Sequence, residues 1–250
     1  EGQIDTSSLA VGTYVLKLVP GTGHNVLRGD VDLVSPPPSG LPKDEVQAFA
    51  VPANSTVGDT ITFEIAELPP LALTSVQSVK THSTAGTFGI ECHTSTNQVE
   101  CRSGGVTRIV ATFNRPVSCA GGSCDPYDVE LYSHQGYDPE VTSVTVAGNV
   151  ATVNISGASN SDQLYLAFGG ILDNENNSVS DTPCIRLLPG VANNTGSINA
   201  FELTNIRASL GEAVTASTFR KDVNVNGAIN AFDLTYVRAR LGQSVGACPF

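Results

Sequence analysis

The feature that most narrows what this 250-residue chain can fold into is an internal duplication near its C-terminal end. TGSINAFELTNIRASLG (Thr195–Gly211) and NGAINAFDLTYVRARLG (Asn226–Gly242) agree at 11 of 17 positions, 31 residues apart. The second copy is led in by Asp222, and Asp222, Asn224, Asn226, Asn230 and Asp233 put oxygen-bearing side chains at positions 1, 3, 5, 9 and 12 of a 12-residue loop, with Gly227 at position 6. This is the spacing of a calcium loop. A hard cation takes six to eight oxygens at about 2.3–2.6 Å, and a short loop can aim alternate side chains at it only where glycine takes the sharp turn. Two tandem copies, each followed by helix-like sequence, make a chance match hard to sustain.

A duplicated calcium loop–helix unit of this size resembles a type I dockerin, the small module by which secreted bacterial proteins plug into cohesin domains. The likeness covers roughly residues 188–246. It implies as ligands Asp222, Asn224, Asn226, the Ala228 carbonyl, Asn230 (through a water) and Asp233. The first copy departs from the pattern: position 1 is Val191, which has no side-chain oxygen, and position 5 is Thr195. Asn193, Thr195, the Ser197 carbonyl, Asn199 and Glu202 remain there. Fewer anionic ligands mean weaker binding, so one calcium ion is expected at the second loop and the first is the weaker candidate for another. The competing reading is a pair of Asn/Gly-rich turns that cap two helices without metal, since Asn199 and Asn230 are good N-cap residues in any case.

At ~100° per residue, Leu203, Ile206 and Leu210 share one helix face, and Leu234, Val237 and Leu241 repeat it. These stripes are expected to pack the two helices together. Phe201 and Phe232 fall on the opposite side. In dockerins, loop positions 10 and 11 and the helix that follows touch cohesin; here those positions read Ala200-Phe201 and Ala231-Phe232, with Arg207 and Arg238 further along. Because the copies agree, such a face could engage a partner in two orientations related by a half-turn. Alternatively, each phenylalanine tucks under a neighbouring domain of its own chain.

The six cysteines stand at 92, 101, 119, 124, 184 and 248, with no CxxC and no Cys/His cluster, which favours disulfides over zinc. Of fifteen possible pairings, local spacing favours Cys92–Cys101 and Cys119–Cys124. Cys184 and Cys248 would then bracket the duplicated segment and clasp its ends, useful to a unit too small for a deep core. Disulfides place the chain outside the cell. The chain starts at Glu1 with no charged-plus-apolar leader, so it reads as a mature product whose signal peptide has been removed. No apolar run approaches the length of a membrane span. With 24 acidic against 13 basic residues and a net charge of −11, nucleic acid is a poor partner.

Upstream of the duplication the sequence reads as β. TYVLKLVP, NVLRGDVDLV, EVQAFAVP and TITFEIA are β-branched or alternating, broken by Gly, Pro and Asn clusters and by Pro36-Pro37-Pro38. RIVATFNRPV, VTSVTVAGNVATVNISG and DQLYLAFGGI follow at sandwich-like spacing, with a tight hairpin at Ala147-Gly148-Asn149. The second stretch resembles the immunoglobulin-like repeats of secreted multidomain bacterial proteins. SVKTHSTAGTF (residues 78–88), with the IEC and CRSGG segments after it, looks like a module that precedes a C-terminal dockerin pair. The expected fold is therefore mainly β: a β-sandwich region over 1–74, an immunoglobulin-like sandwich over 75–187, and a small α-helical calcium module over 188–250.

His24, His82, His93 and His134 are scattered without metal or acid–base spacing, and GxSxG, HExxH and phosphate-loop patterns are absent, so no enzyme is expected. Arg28-Gly29-Asp30 spells an adhesion tripeptide too short to weigh. Sequons stand at Asn54, Asn154, Asn176 and Asn193. Two functions follow. One is a secreted structural or assembly protein whose module docks onto a β-sandwich partner, cohesin-like or another copy, giving a filament if the contact does not close. The other is a polysaccharide- or surface-binding adaptor attached through its tail to a cohesin scaffold, for which Tyr127, Tyr132 and Tyr137 would be the aromatic platform.

Overall fold

In a computed structural model the described residues are 12–17, 30–31, 49–50, 60–65, 69–93, 98–158 and 160–248. The chain divides into two compact units, Glu1–Pro70 and Leu71–Phe250. In the first, β1 (Gly12–Lys17) pairs antiparallel with β4 (Thr60–Ile65), and β2 (Asp30–Val31) with β3 (Phe49–Ala50). His24, Arg28-Gly29, the Pro36–Pro38 run and the Asn54 sequon lie outside the described residues.

The second unit is built on two sheets. The five-stranded sheet has the order β11 (Glu140–Ala147), β12 (Val150–Ser156), β8 (Arg108–Phe113), β5 (Leu73–Thr81), β6 (Thr87–Glu91), all antiparallel. The four-stranded sheet runs β10 (Glu130–Ser133), β13 (Asp162–Ala167), β15 (Cys184–Leu187), β7 (Val99–Glu100), with the last pair parallel. A short pair joins β9 (Ser118–Cys119) to β14 (Ile171–Leu172). Alternation dictates which face is dry. Ile109, Ala111 and Phe113 of β8 and Ala151, Val153 and Ile155 of β12 are buried, while the residues between them are half-buried. Leu164, Leu166, Ile185 and Leu187 of the other sheet join the same core. Phe113 meets Phe168, just past β13, edge-on at 5.8 Å. Each such fully buried Leu, Ile or Phe contributes roughly 1.5–3 kcal/mol. The hairpin lies where the sequence places it: Ala147 pairs with Val150, and Gly148 turns the chain at φ +60°.

Two helices follow, α1 (Ala200–Arg207) and α2 (Ala231–Arg238), so the chain is mainly β with two short helices among its described residues. Ile206 and Val237 are fully buried and Leu203 and Leu234 partly so. Leu210 and Leu241, expected on the same packed face, are instead exposed: each helix ends three residues earlier, so the 3.6-residue period no longer holds them inward. The segment from 188 onward falls within the compact unit Leu71–Phe250 that also holds the two sheets. Val191, Ile198, Val223 and Ile229 belong to the same buried core as the sheet residues, and Leu71, the first residue of the unit, is in it too.

Disulfides join Cys119 to Cys124 and Cys184 to Cys248. The second spans 64 residues and ties β15 to the C-terminal tail; closing a loop of that length stabilises by about 4 kcal/mol in the chain-entropy account. The expected Cys92–Cys101 bridge is not made, and both side chains are buried thiols. Cys92 follows β6 in the five-stranded sheet and Cys101 follows β7 in the four-stranded one, so nearness in sequence ends in different sheets. The Cys92 thiol points at the Ile90 carbonyl (3.2 Å) and the Cys101 thiol at the Arg220 carbonyl (3.6 Å). Burial pushes the Cys92 thiol up to about 12 and raises Cys101 as well. The thiolate is the reactive form. Both thiols should therefore resist iodoacetamide at pH 8 in native protein, and mass spectrometry should find two alkylated cysteines only after denaturation.

Candidate metal centre

The two loops, Val191–Glu202 and Asp222–Asp233, follow the same backbone path. Position 4 takes the left-handed conformation in both, at Asn194 (φ +65°) and Val225 (φ +56°), and position 6 does so at Gly196 (φ +78°) and Gly227 (φ +89°). Asparagine and glycine tolerate that region, whereas a β-branched valine there is strained, which marks a conformation imposed by the loop. Position 8 joins the copies symmetrically. Ile198 accepts from the Gly242 amide at 2.8 Å, and Ile229 accepts from the Gly211 amide at 2.9 Å.

In the second loop the side-chain oxygens are held by backbone donors. Asp222 Oδ1 accepts from Asn226 N (3.1 Å) and Oδ2 from Gly227 N (2.9 Å); Asn224 Oδ1 accepts from Asn226 N (3.0 Å), and Asn226 Oδ1 from Ala228 N (2.9 Å). Asp233 closes the ring, taking Asn224 N on Oδ1 (3.2 Å) and Asn230 N on Oδ2 (2.9 Å). Asn230 Oδ1 caps α2 through Phe232 N (2.8 Å), completing a capping box with Asp233. Asp222 and Asp233 are both fully buried. Burial raises the Asp233 carboxyl and the nearby Asp222 charge adds to it, against the amides that favour the ionised form. Two buried carboxylates whose charges act on each other, together with the amide oxygens of the same loop, are the hard oxygen donors that a Ca2+ site would need. Asp222, Asn224, Asn226, Asn230, Asp233 and the Ala228 carbonyl would hold the ion.

The first loop differs in ways that explain its weaker prospects. Val191, at position 1, is fully buried among apolar side chains. Thr195 binds inside the loop: its amide and hydroxyl donate to Asn193 Oδ1 (3.0 and 2.8 Å), and the hydroxyl also reaches the Ser197 carbonyl (3.1 Å). Asn199 caps α1 through Phe201 N (2.8 Å). Glu202, at position 12, is fully buried, and neither carboxylate oxygen has a hydrogen-bond partner. Burial pushes it up to about 7, although the Ala192 and Asn193 amides and the Arg220 charge lie near enough to favour the anion.

The sheets reach into this centre in ways the sequence does not announce. His82, at the end of β5, bonds Asp222 Oδ2 through Nδ1 at 2.9 Å, with both side chains fully buried. Ser103 N donates to the Val223 carbonyl (2.7 Å) and the Ser103 hydroxyl to the Asn224 carbonyl (3.3 Å). Arg220 donates to the carbonyls of Val99 (2.9 Å) and Ala192 (3.2 Å) and to Asn194 Oδ1, joining β7 to the first loop. Arg186 grips the tail at the carbonyls of Gly246 (2.7 Å) and Val245 (3.0 Å). A lone histidine 140 residues from its partner leaves no spacing signal to read.

Phe201 and Phe232 are 76% and 72% exposed, at the same place on each helix. Ala200 and Ala231, next to them in sequence, are exposed, and so are Arg207 and Arg238 at the ends of the helices. Tyr127, Tyr132 and Tyr137 are exposed as well, and the first two line a cleft of about 560 Å3 with Glu130 and Glu140. Cys119, Cys124 and Asp128 form the one close cluster of sulfur and carboxylate atoms among the described residues, but the disulfide occupies both sulfurs. No described helix is long and apolar enough to cross a membrane.

No protein-family model matches the chain, and no curated protein matches it. Among solved structures it is similar to a chain of a type II cohesin–X–dockerin complex from Acetivibrio cellulolyticus, at 13% identity over 52% of this chain and 95% of that one, with a TM-score of 0.20. A likeness that slight is too small to reason from.

The orphaned carboxylate of the first loop can be tested directly. With calcium chelated and at pH 8, above the raised pKa of about 7 so that the carboxylate is ionised, Glu202→Gln replaces a buried charge by a neutral side chain of the same shape. It should raise the melting temperature by about 2–4 °C, from roughly 1 kcal/mol of relieved charge burial. Differential scanning calorimetry in EDTA checks it, and a fall would mean that the carboxylate is compensated.

Proposed function

We propose that residues 188–250 are a dockerin-like, calcium-stabilised docking module, and that the chain is a secreted, non-catalytic structural or assembly protein. The carrying observation is the Asp222–Asp233 loop: a calcium-spaced set of oxygens on a backbone that its sister loop copies at positions 4 and 6. The two disulfides agree with an oxidising compartment. Calcium here acts as a staple rather than a sensor, since the loop rests on buried sheet residues and its helices are already packed. Phe201 and Phe232, with exposed Ala200 and Ala231, are the centre of the docking face, and Arg207 and Arg238 stand exposed further along the helices. Large exposed aromatics at matched positions mark a recognition surface. The partner is a β-rich, cohesin-like surface. We favour another copy of this chain, because a face at one end that meets a different face of the next copy propagates as a filament.

Chelation should lower the melting temperature of the second unit by roughly 5–10 °C relative to calcium at about 100 times its dissociation constant. Asp222→Ala and Asp233→Ala should each reproduce that loss in calcium; an unchanged transition on chelation would refute the metal claim. For the docking face, sedimentation velocity in calcium should give a mass that grows with concentration. Phe201→Ser combined with Phe232→Ser should return the monomer at an unchanged melting temperature. A strict monomer at high wild-type concentration would sink the homotypic partner.

A further inference from the structure

Resting on the calcium reading of Asp222–Asp233, we propose that His82 is a positioning residue for the calcium ligand Asp222, so that the metal site is completed by the sheet pair and not by the loop alone. The geometry is specific. Of the four lone-pair sites on the Asp222 carboxylate, Oδ2 takes two donors, Gly227 N–H and His82 Nδ1, each at 2.9 Å. Oδ1 takes a single, longer one from Asn226 at 3.1 Å. Two donors on Oδ2 fix the plane of the carboxylate and leave Oδ1 the freer atom for a cation. A carboxylate that receives a hydrogen bond from an imidazole needs the proton on Nδ1, which sets the tautomer.

The histidine is itself held. Its ring lies edge-on to Phe88 (5.3 Å) and Phe219 (5.8 Å), and those two rings stack on each other at 5.2 Å. Its backbone closes a turn, with His82 N donating to Gly86 O (2.8 Å) and Ala85 N to His82 O (2.9 Å). The His82 carbonyl lies 3.0 Å from where a Cβ at residue 227 would stand. Gly227 therefore serves twice, for its positive φ and for the approach of the sheet. At the equivalent place in the first loop stands Val191, fully buried with no charge to orient. Outer partners of this kind raise metal affinity by fixing the ligand before the ion arrives, and their loss typically costs 10–100-fold.

The test uses the full chain, calcium titration by calorimetry, and melting curves in calcium and in EDTA. His82→Phe keeps an aromatic ring against the edges of Phe88 and Phe219 and removes the donor; it should weaken calcium binding at least about ten-fold. His82→Asn puts an amide N–H where Nδ1 stood and should restore affinity to within about three-fold of wild type, a rescue that a purely space-filling role would not give. The melting increment on adding calcium should shrink in the phenylalanine variant and return in the asparagine variant. The His82 imidazole 15N resonances of wild type should move when calcium is added, and this readout decides the matter should His82→Phe fail to fold. Wild-type calcium binding with an equally tight His82→Phe, an Asn variant as weak as Phe, or immobile imidazole resonances would overturn the role of His82 alone. Wild-type protein that took up no calcium would fail the loop itself, and the role of His82 with it.

Discussion

The interaction on which the second unit turns is made by Arg102, the most deeply buried of its cations. Arg102 is fully buried and spends its donors at the seam where the two sheets and the duplicated segment meet. Nε and Nη2 bind the two Glu100 oxygens (2.8 and 2.6 Å), Nη2 also reaches Ser78 O (2.7 Å), and Nη1 reaches Phe88 O (2.7 Å). Ser78 lies on β5, Phe88 on β6 and Glu100 on β7, so one side chain joins the five-stranded sheet to the four-stranded one. Its guanidinium also lies 5.6 Å from the centre of the Phe219 ring, which belongs to the duplicated segment. Burial works to raise the Glu100 pKa, but the hydrogen bonds and charge of Arg102 outweigh it and hold the carboxylate ionised. A buried ion pair earns little by itself; what matters is that breaking one by removing a partner costs roughly 3–5 kcal/mol, so the arrangement is hard to escape once formed.

The same device recurs along the seam. Arg220 spans from β7 to the first loop, and Arg186 holds the C-terminal tail near the Cys184–Cys248 disulfide. In a chain with only 13 basic residues, three arginines committed to carbonyls and carboxylates at one boundary explain why the calcium-type loops do not hang free. Each loop is pressed against the sheets at position 1. That contact is apolar at Val191 and polar at Asp222, and the difference carries through the whole pair. The first loop closes on itself through Thr195 and leaves Glu202 buried without a partner, whereas the second presents a ring of oriented oxygens.

Much of this was legible in the residues. The loops, their N-caps Asn199 and Asn230, the outward Phe201 and Phe232 and the Gly148 turn follow from local rules: glycine where φ must be positive, asparagine where a helix must start, side chains at a fixed period. The misreadings are non-local. Cys92 and Cys101 look paired because they are near in sequence, yet β6 and β7 go to different sheets. Leu210 and Leu241 look buried because the period continues on paper past Arg207 and Arg238, where the helices stop.

The amino-acid sequence alone therefore determined the duplication, the asymmetry of its two loops and the β character of what precedes them, because each rests on contacts between residues a few places apart. Only the tertiary structure decided that the duplicated segment shares a core with the sheets, that Arg102 locks them together, and that His82 meets Asp222. Those are pairings across 100 residues or more of chain or between separate sheets, and no period or spacing encodes them. They arise because buried charges and carbonyls must find partners somewhere, and topology alone settles where.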